Sequence, residues 1–331
     1  MENILMEDVR LVAEQLYSWE KLSNKTIMIS GGTGFIGSFM IAVLRYRNEK
    51  YNQGIKVISL SRKGGESDDT VRHQACDITT TIAYDGQVDF ILHLASNTHP
   101  AQYDEDPVGT ITTNVLGCNN LLQFAKNHGT GRFLLASSVE IYGQGTEMPI
   151  TETYCGYIDC NQARSGYNEA KRTCEALCQS YKKQYGIDVV IGRLSRVFGA
   201  DKKNDTKAMA QFMQNAIEGQ DIILKSKGLQ RYSYCYVADA VSALLYILME
   251  GKSGEAYNIS DDDEMLTLGG YAEFIAQLAQ RKVIYNIEDN ASASKATYAL
   301  LDTQKIQNLG WRPVYTVKEA LEKTYRIYKT H

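Results

Sequence analysis

Three groups of residues carry chemistry by type and spacing. The first is Ser30-Gly31-Gly32-Thr33-Gly34-Phe35-Ile36-Gly37, which follows a short apolar run and opens a helical stretch. There, Gly31 permits a tight turn, Gly34 lets the backbone approach a pyrophosphate, and Gly37 permits close helix–strand packing, while the helix N-terminus attracts an anion. The spacing is G-x-x-G-x-x-G rather than G-x-G-x-x-G, and glycine is common at any strand–helix turn. Its place after the first strand is what points to a dinucleotide, held at Gly31, Gly34, Phe35, Ile36 and Gly37. The second group is Ser61-Arg62-Lys63 at the tip of the second strand. An acid accepting from the ribose 2′-hydroxyl marks an NAD site there, whereas a hydroxyl and two cations suit a 2′-phosphate, so NADP is favoured over NAD. The alternative is a solvated loop. The third group is Ser137-Ser138 at a strand end with Tyr167-x-x-x-Lys171 on a later helix. Tyr167 and Lys171, four apart, share a helix face, and an ammonium beside a phenol suits proton transfer. A hydroxyl on Ser138 could hold a substrate oxygen undergoing oxidation. Taken alone, such a pair is a surface accident in a chain with 22 Tyr; the glycine loop makes it more than that.

These groups need elements to position them. Glu2 to Lys25 reads as an amphipathic helix, with Ile4, Leu5, Val9, Val12, Leu16 and Tyr17 near helical spacing. Strands are predicted at 26–30, 56–60, 90–94, 132–137 and 188–194, and helices at 35–47, 111–127 and 166–185. Strands alternating with helices specify a parallel sheet covered on both faces, an α/β, Rossmann-like doubly wound fold. After residue 200 the alternation loosens into a smaller mixed C-terminal substrate lobe. The expected division is 1–25 as a helical extension, 26–200 as the dinucleotide-binding domain and 201–331 mainly as the substrate lobe, with some segments returning to the sheet.

Composition narrows the function classes. The chain has 331 residues, 44% apolar and 22% charged, with 35 Lys+Arg against 39 Asp+Glu and a net charge of −4. An acidic balance argues against nucleic acid as a partner, and no apolar run approaches the ~20 residues of a membrane helix. Acids in the first 20 residues disfavour a signal peptide, so the expected compartment is the cytoplasm. Seven Cys at irregular spacings and five His without H-E-x-x-H indicate neither a disulfide framework nor a metal site, and no metal is expected.

In order along the chain, Gly31-x-x-Gly34-x-x-Gly37, Asp77-Ile78, His93-Leu94-Ala95-Ser96, Asn114, Ser137-Ser138 and Tyr167-x-x-x-Lys171 resemble the extended short-chain dehydrogenase/reductases, and within them the nucleotide-sugar epimerase/dehydratase group. Tyr236-Val237-Ala238-Asp239 and Leu309-Gly310-Trp311 resemble the group's later signatures. The resemblance implies that Asp77, Ile78, Leu94, Ala95, Ser96 and Asn114 contact the cofactor along with Tyr167 and Lys171. Finer motifs resemble the UDP-glucuronate decarboxylases: Pro100, Tyr103 and Pro107 after the His93 segment, Tyr167-Asn168-Glu169-Ala170-Lys171-Arg172, and Ser138-Val139-Glu140-Ile141-Tyr142-Gly143. Dehydratases of the group carry an Asp before the Glu that matches Glu140; this chain has Val139, which cannot transfer a proton. Two departures concern the substrate. Arg196 replaces the usual Asn, and Tyr232 stands at the place of an Arg that ordinarily meets the substrate's diphosphate or carboxylate, with Arg231 one place early. Either Arg196 grips the anion in compensation, or it pairs with an acid in the cleft.

The resemblance implies a mechanism in which Tyr167 removes a proton from a sugar hydroxyl, at C4, with hydride passing to NAD or NADP near Lys171. A 4-keto sugar makes a C5 carboxylate a β-keto acid that loses CO2. Ser138 would hold the substrate oxygen, Glu140 would handle protons at C5 or position the substrate, and Arg196, Arg231 and Tyr232 would line the substrate site. A 4-epimerase and an NADPH-dependent reductase of 4-keto sugar nucleotides use the same machinery. A non-catalytic dinucleotide sensor is a further alternative, disfavoured by the intact Ser138, Tyr167 and Lys171. The expected partner is a sugar nucleotide, and a homodimer through the 111–127 and 166–185 helices is usual in the group.

Overall fold

The computed structural model describes residues 2–96, 103, 105–144, 148–200, 207–261, 267–287 and 298–330. Pro100, part of the resemblance above, lies outside them. The first half alternates as expected: β1 (Thr26–Ser30), α2 (Phe35–Tyr51), β2 (Lys56–Ser61), β3 (Val71–Ala75), β4 (Phe90–His93), α3 (Pro107–His128), β5 (Arg132–Ser138), α4 (Gly166–Tyr185) and β6 (Val189–Leu194), with α1 (Glu2–Ala13) ahead of them. Seven parallel strands form one sheet in the order β11-β6-β5-β4-β1-β2-β3, where β11 (Ala256–Ile259) returns from the C-terminal part. The order reverses between β1 and β4, the switch point outside which open α/β sheets bind ligands.

The sheet is buried on both faces, and its strands read accordingly. Ile27, Met28 and Ile29 of β1, Phe133, Leu134 and Leu135 of β5, and Val189 and Val190 of β6 are all fully inaccessible. On one face Cys118, Leu121, Leu122, Cys174 and Cys178 of α3 and α4 pack against Met28, Ile91 and Leu135. On the other, α1, α2 and α6 (Val237–Glu250) share a second core with Ile27, Ile29, Leu92 and Val190. α3 starts at an Asp106 cap, whose carboxylate accepts from Gly109 N at 2.9 Å, and both α3 and α4 end at a left-handed glycine, Gly129 and Gly186.

After β6 come β7 (Arg196–Phe198), α5 (Ala208–Ile217), β8 (Ile222–Leu224), β9 (Arg231–Tyr232), β10 (Tyr234–Tyr236), α7 (Leu268–Leu278), β12 (Val283–Tyr285), β13 (Tyr298–Ala299), α8 (Gln304–Leu309) and α9 (Val317–Lys329). Three two-stranded parallel sheets, β10-β7, β12-β8 and β13-β9, lie in this part. No helix among the described residues is long and apolar enough to cross a membrane.

The N-terminal helix is shorter than its pattern predicts. It stops at Ala13, followed by a short 3-10 turn at Trp19–Leu22, and Leu16 is fully exposed rather than part of the apolar stripe. Tyr17 and Trp19 both turn inward, Tyr17 bonding Ser242 Oγ at 2.6 Å and Trp19 only 4% exposed. Residues two apart on a helix point to opposite sides, so burying both requires the helix to end first.

α1 is held by a buried polar network. Asp8, wholly inaccessible, accepts from Tyr236 Oη at 2.8 Å and Tyr315 Oη at 2.7 Å and pairs with Lys323 Nζ at 3.0 Å. Nearby Asp239 accepts from the Val314 amide at 2.7 Å. Burial, reinforced by the charge of Asp8, pushes the Asp239 carboxyl up from its ordinary 3.8 to about 7. The folded chain therefore keeps that proton to a higher pH than the unfolded chain does. The stabilisation is complete below pH 3.8 and is lost as the pH rises through about 7. The melting temperature of the wild type relative to Asp239→Asn should fall across that window and level off above it, measured by thermal denaturation from pH 4 to 8.

Candidate active site

The glycine turn is tightly packed. Gly31 has φ +78°, a conformation that L side chains rarely adopt, and a Cβ there would come within 2.8 Å of Ala95 N. A Cβ on Gly37 would run into the Gly31 carbonyl oxygen, whereas one on Gly34 would meet only that oxygen, at 3.1 Å. α2 starts at Gly34 with no side-chain cap and no acid in its first turn, so the amide groups of Phe35, Ile36 and Gly37 at the positive end of the helix are presented to an anion. These features fit a dinucleotide's pyrophosphate.

Across the switch point, Leu94 N donates to Ser30 O at 3.1 Å and Ala95 N to Ser30 Oγ at 3.3 Å, tying the end of β4 to the end of β1. Ser30 Oγ also bonds His93 Nδ1 at 2.7 Å. Burial, and then the charge of Lys171, push the His93 imidazole down to about 3, so it is neutral at physiological pH. Ser96 Oγ donates to Asn114 Oδ1 at 2.8 Å, and Asn114 Nδ2 to Thr110 O at 2.8 Å, which brings these two predicted cofactor residues together.

At the far edge, Ser61 Oγ donates to Gly64 O at 3.2 Å, keeping its acceptor capacity. Arg62 is exposed, with no hydrogen-bond or ion-pair partner among the described residues, and its charge reaches Asp77. The Asp77 carboxyl is held below its usual range mainly by the backbone and side chain of Thr79, and further by Arg62. Ile78 is buried against Gly117, where a Cβ would meet Ile78 Cδ1 at 2.5 Å.

Around the third group, Ser138 is the last residue of β5, in register with Leu194 of β6. Its Oγ accepts from Glu140 N at 3.2 Å. Tyr167 and Lys171 are 5% and 3% exposed, facing the sheet from α4. Lys171 Nζ donates to Ala136 O at 2.9 Å and lies 5.9 Å from the centroid of the Tyr167 ring. The Tyr167 ring is stacked on Tyr103, centroids 4.8 Å apart and 19° from parallel. Burial, then the Tyr167 and Glu140 charges, push the Tyr103 hydroxyl up, away from ionisation.

Glu140 is fixed rather than free. Its Oε2 accepts from Arg164 Nη2 at 3.3 Å and from Asn168 Nδ2 at 3.1 Å, while Arg164 also reaches Asn168 Oδ1 at 3.0 Å. The Arg164 guanidinium sits 4.7 Å over the Tyr103 ring, so Arg164, Tyr103 and Tyr167 form one set of ring and cation contacts. Beneath them, Arg193 Nη2 pairs with Glu175 Oε2 at 2.7 Å, each side chain 12% exposed, and Ser137 Oγ donates to the same carboxylate.

Sequence reasoning did not assign Arg164, Asn168, Glu175 or Arg193 to the site. Arg164 lies in the 3-10 turn Ala163–Ser165 that leads into α4, and its place four residues before Asn168, whose Oδ1 it reaches, is the signal that could have found it. On the substrate side, Arg196 lies on the Tyr232 ring, its Cζ 3.6 Å from the centroid. Arg231 is exposed beside it in β9, its side chain turned to the opposite side of the strand. The alternative in which Arg196 pairs with an acid finds no such acid among the described residues. Among those residues no set of three His, Cys, Asp or Glu side chains could hold a metal ion.

The doubly wound sheet, the glycine turn at its switch point and the buried Tyr167–Lys171 pair behind Ser138 define an extended short-chain dehydrogenase/reductase. The chain belongs to the NAD dependent epimerase/dehydratase family, whose pattern matches residues 27–260. UDP-glucuronic acid decarboxylase 6 of Arabidopsis thaliana is 34% identical over 322 residues, 92% of this chain and 90% of that protein. Among solved structures, a dTDP-glucose 4,6-dehydratase from Streptomyces venezuelae with NAD bound superposes with TM-score 0.80 at 25% identity, covering 92% of this chain and 97% of that one. RMD from Pseudomonas aeruginosa, complexed with NADPH, has the same fold, with TM-score 0.75 at 22% identity over 92% of this chain and 99% of that one.

Gly31→Ala combines a strained backbone with a clash against Ala95 N. It should lower stability by about 1–3 kcal/mol and weaken dinucleotide binding, measured by denaturant titration and calorimetry.

Proposed function

We propose that the chain binds a nicotinamide dinucleotide and a sugar nucleotide, oxidises the sugar at C4 and decarboxylates a UDP-uronic acid. The observation that carries this reading is the buried Tyr167–Lys171 pair beside the end of β5. A bound nicotinamide would supply a hydride acceptor able to return the hydride, held by Gly31, Gly34, Phe35, Ile36, Gly37, Ile78, Leu94, Ala95, Ser96 and Asn114. Ser138 Oγ, at the strand end, holds the substrate hydroxyl. Tyr167 takes its proton, and the Lys171 ammonium, anchored on Ala136 O, stabilises the negative charge that the tyrosine carries during transfer. A ketone at C4 then lets a C5 carboxylate leave as CO2.

Two features favour decarboxylation over dehydration. Residue 139, beside Glu140, is a buried Val with no proton to give, and Glu140 is committed to Arg164 and Asn168. The identity to plant UDP-glucuronic acid decarboxylases over nine-tenths of the chain points the same way. Glu140 positions the substrate near C5. The exposed Val108, Ile111 and Leu116 on α3 support a homodimer in which α3 and α4 meet their copies.

Incubation with a panel of sugar nucleotides, read by mass spectrometry, tests the reaction: UDP-glucuronate should lose carbon dioxide. Loss of water would mean dehydration, and an unchanged mass with altered stereochemistry would mean epimerisation. Tyr167→Phe should lower turnover ~10²–10⁴-fold while cofactor still binds; a variant retaining half its activity would remove Tyr167 from the chemistry.

A second reading, an NADPH-dependent reductase of 4-keto sugars, is favoured by one observation, the exposed Arg62 at the tip of β2, unpaired among the described residues. We assign Arg62, with Ser61 and beside Asp77, to the adenosine ribose, where a 2′-phosphate would give it a partner. Arg62→Ala should weaken NADP(H) about 10- to 100-fold and leave NAD(H) little changed, measured by calorimetry. Equal losses for both would place Arg62 outside the ribose site.

A further inference from the structure

Arg196 begins where the sheet ends. It stands two residues after Leu194, the β6 partner of Ser138, at the carboxyl edge of the strands. Its backbone is fixed on both sides: Arg196 N donates to Ser233 O at 3.3 Å, and β7 pairs with β10 at Arg196 and Tyr234. Its guanidinium carbon lies over the Tyr232 ring, 3.6 Å from the centroid, close enough for a full cation–π contact. Yet Nη1 is buried with no hydrogen-bond partner, and no carboxylate among the described residues pairs with the group.

A half-buried cation without a counter-charge among the described residues is costly, because the desolvation of its buried end is not returned by any contact among them. Stacking orients the planar fork and offsets only part of that cost. The neighbouring Ser195 and Ser260 also bury hydroxyls without a partner among the described residues, at the ends of β6 and β11, where Ser195 N is held by Ile259 O at 3.0 Å. Orphaned donors thus gather at one sheet edge beside the reacting residues, a place where a bound oxyanion would satisfy them. The exposed Arg231 cannot serve in this way, since its strand turns it outward.

We propose that Arg196, laid on the Tyr232 ring, is the anion-recognition residue of the substrate site, and that Tyr232 is its positioning residue. This rests on the sugar-nucleotide reading above and names the shared chemistry of its target, an oxyanion. The source is either the diphosphate common to all sugar nucleotides or the carboxylate of a uronic acid. Tyr232 sets the plane of the guanidinium, so that two of its N–H groups face the anion together.

Calorimetric titration of the full chain with UDP, UDP-glucose and UDP-glucuronate tests the assignment. Arg196→Gln should weaken all three by at least about tenfold if the diphosphate is the target, or UDP-glucuronate alone if the carboxylate is. Nicotinamide dinucleotide binding should be unchanged in the same variant. Tyr232→Leu should give a several-fold loss for the same ligands, and Tyr232→Phe, which keeps the ring, should recover the wild-type affinity. Should Arg196→Gln fail to fold, Arg196→Lys carries the test, since it keeps the charge and loses the planar fork; a loss for the same ligands is again expected. Wild-type binding of the three nucleotides with all of these variants within twofold overturns the subsite alone. A wild-type protein that binds none of them overturns the sugar-nucleotide reading and the subsite with it.

Discussion

At the switch point between β1 and β4 two backbones touch, and much else follows from that contact. Gly31 lies so close to Ala95 that no side chain fits between them, and Ser30 binds the amides of both Leu94 and Ala95. From there the chain after β1 leaves on one side of the sheet into α2, and the chain after β4 leaves on the other towards α3. The crevice between them is the cofactor groove. A bulkier residue at position 31 would push the two strand ends apart, and the pyrophosphate cradle, the His93 imidazole and the Ser96–Asn114 contact would lose their common reference.

Charge is arranged around this groove with economy. Lys171 is nearly inaccessible, its Nζ resting on the Ala136 carbonyl. Its field, together with burial, keeps His93 neutral, so one cation rather than two faces the nicotinamide side. The adjacent Arg193 and Glu175 neutralise each other under the β5 strand end. Glu140 is matched by Arg164, itself seated on Tyr103. Arg193, Glu175 and Glu140 are thus paired within the protein, whereas Arg196 has no carboxylate partner among the described residues and Arg62 is its exposed counterpart at the other end of the groove.

Much of this was legible in the sequence, and for a local reason. The glycine turn and the Tyr167–Lys171 pair are read from spacings shorter than two helical turns, and α4 spans Gly166–Tyr185 as its periodicity predicts. What the sequence hides is set by distant partners. β3 carries Arg72, His73 and Gln74 and reads as loop; it is a strand because it is the edge, with only β2 to pair with. The stacking of Tyr103 on Tyr167, and of Arg196 on Tyr232, joins residues from separate elements whose approach no periodicity records. The N-terminal helix was read too long for a similar reason, since Tyr17 and Trp19 leave helical order to reach α6 and the core beside α2.

The Asp8 network has a consequence for how the chain is made. Asp8 and Tyr315 meet across 307 residues of sequence. A ribosome adding about 5–20 residues per second takes on the order of 15–60 s to cover that span. For the first 228 of those residues α1 has neither of its tyrosine hydroxyls, Lys323 comes later still, and a 12-residue helix is marginal on its own in water. Val9, Val12 and Ala13, inaccessible in the finished protein, meet α2 early but are not fully covered until α6 and α9 emerge. α1 is therefore secured long after it is synthesised. Chaperones that hold short apolar segments have a long opportunity at α1.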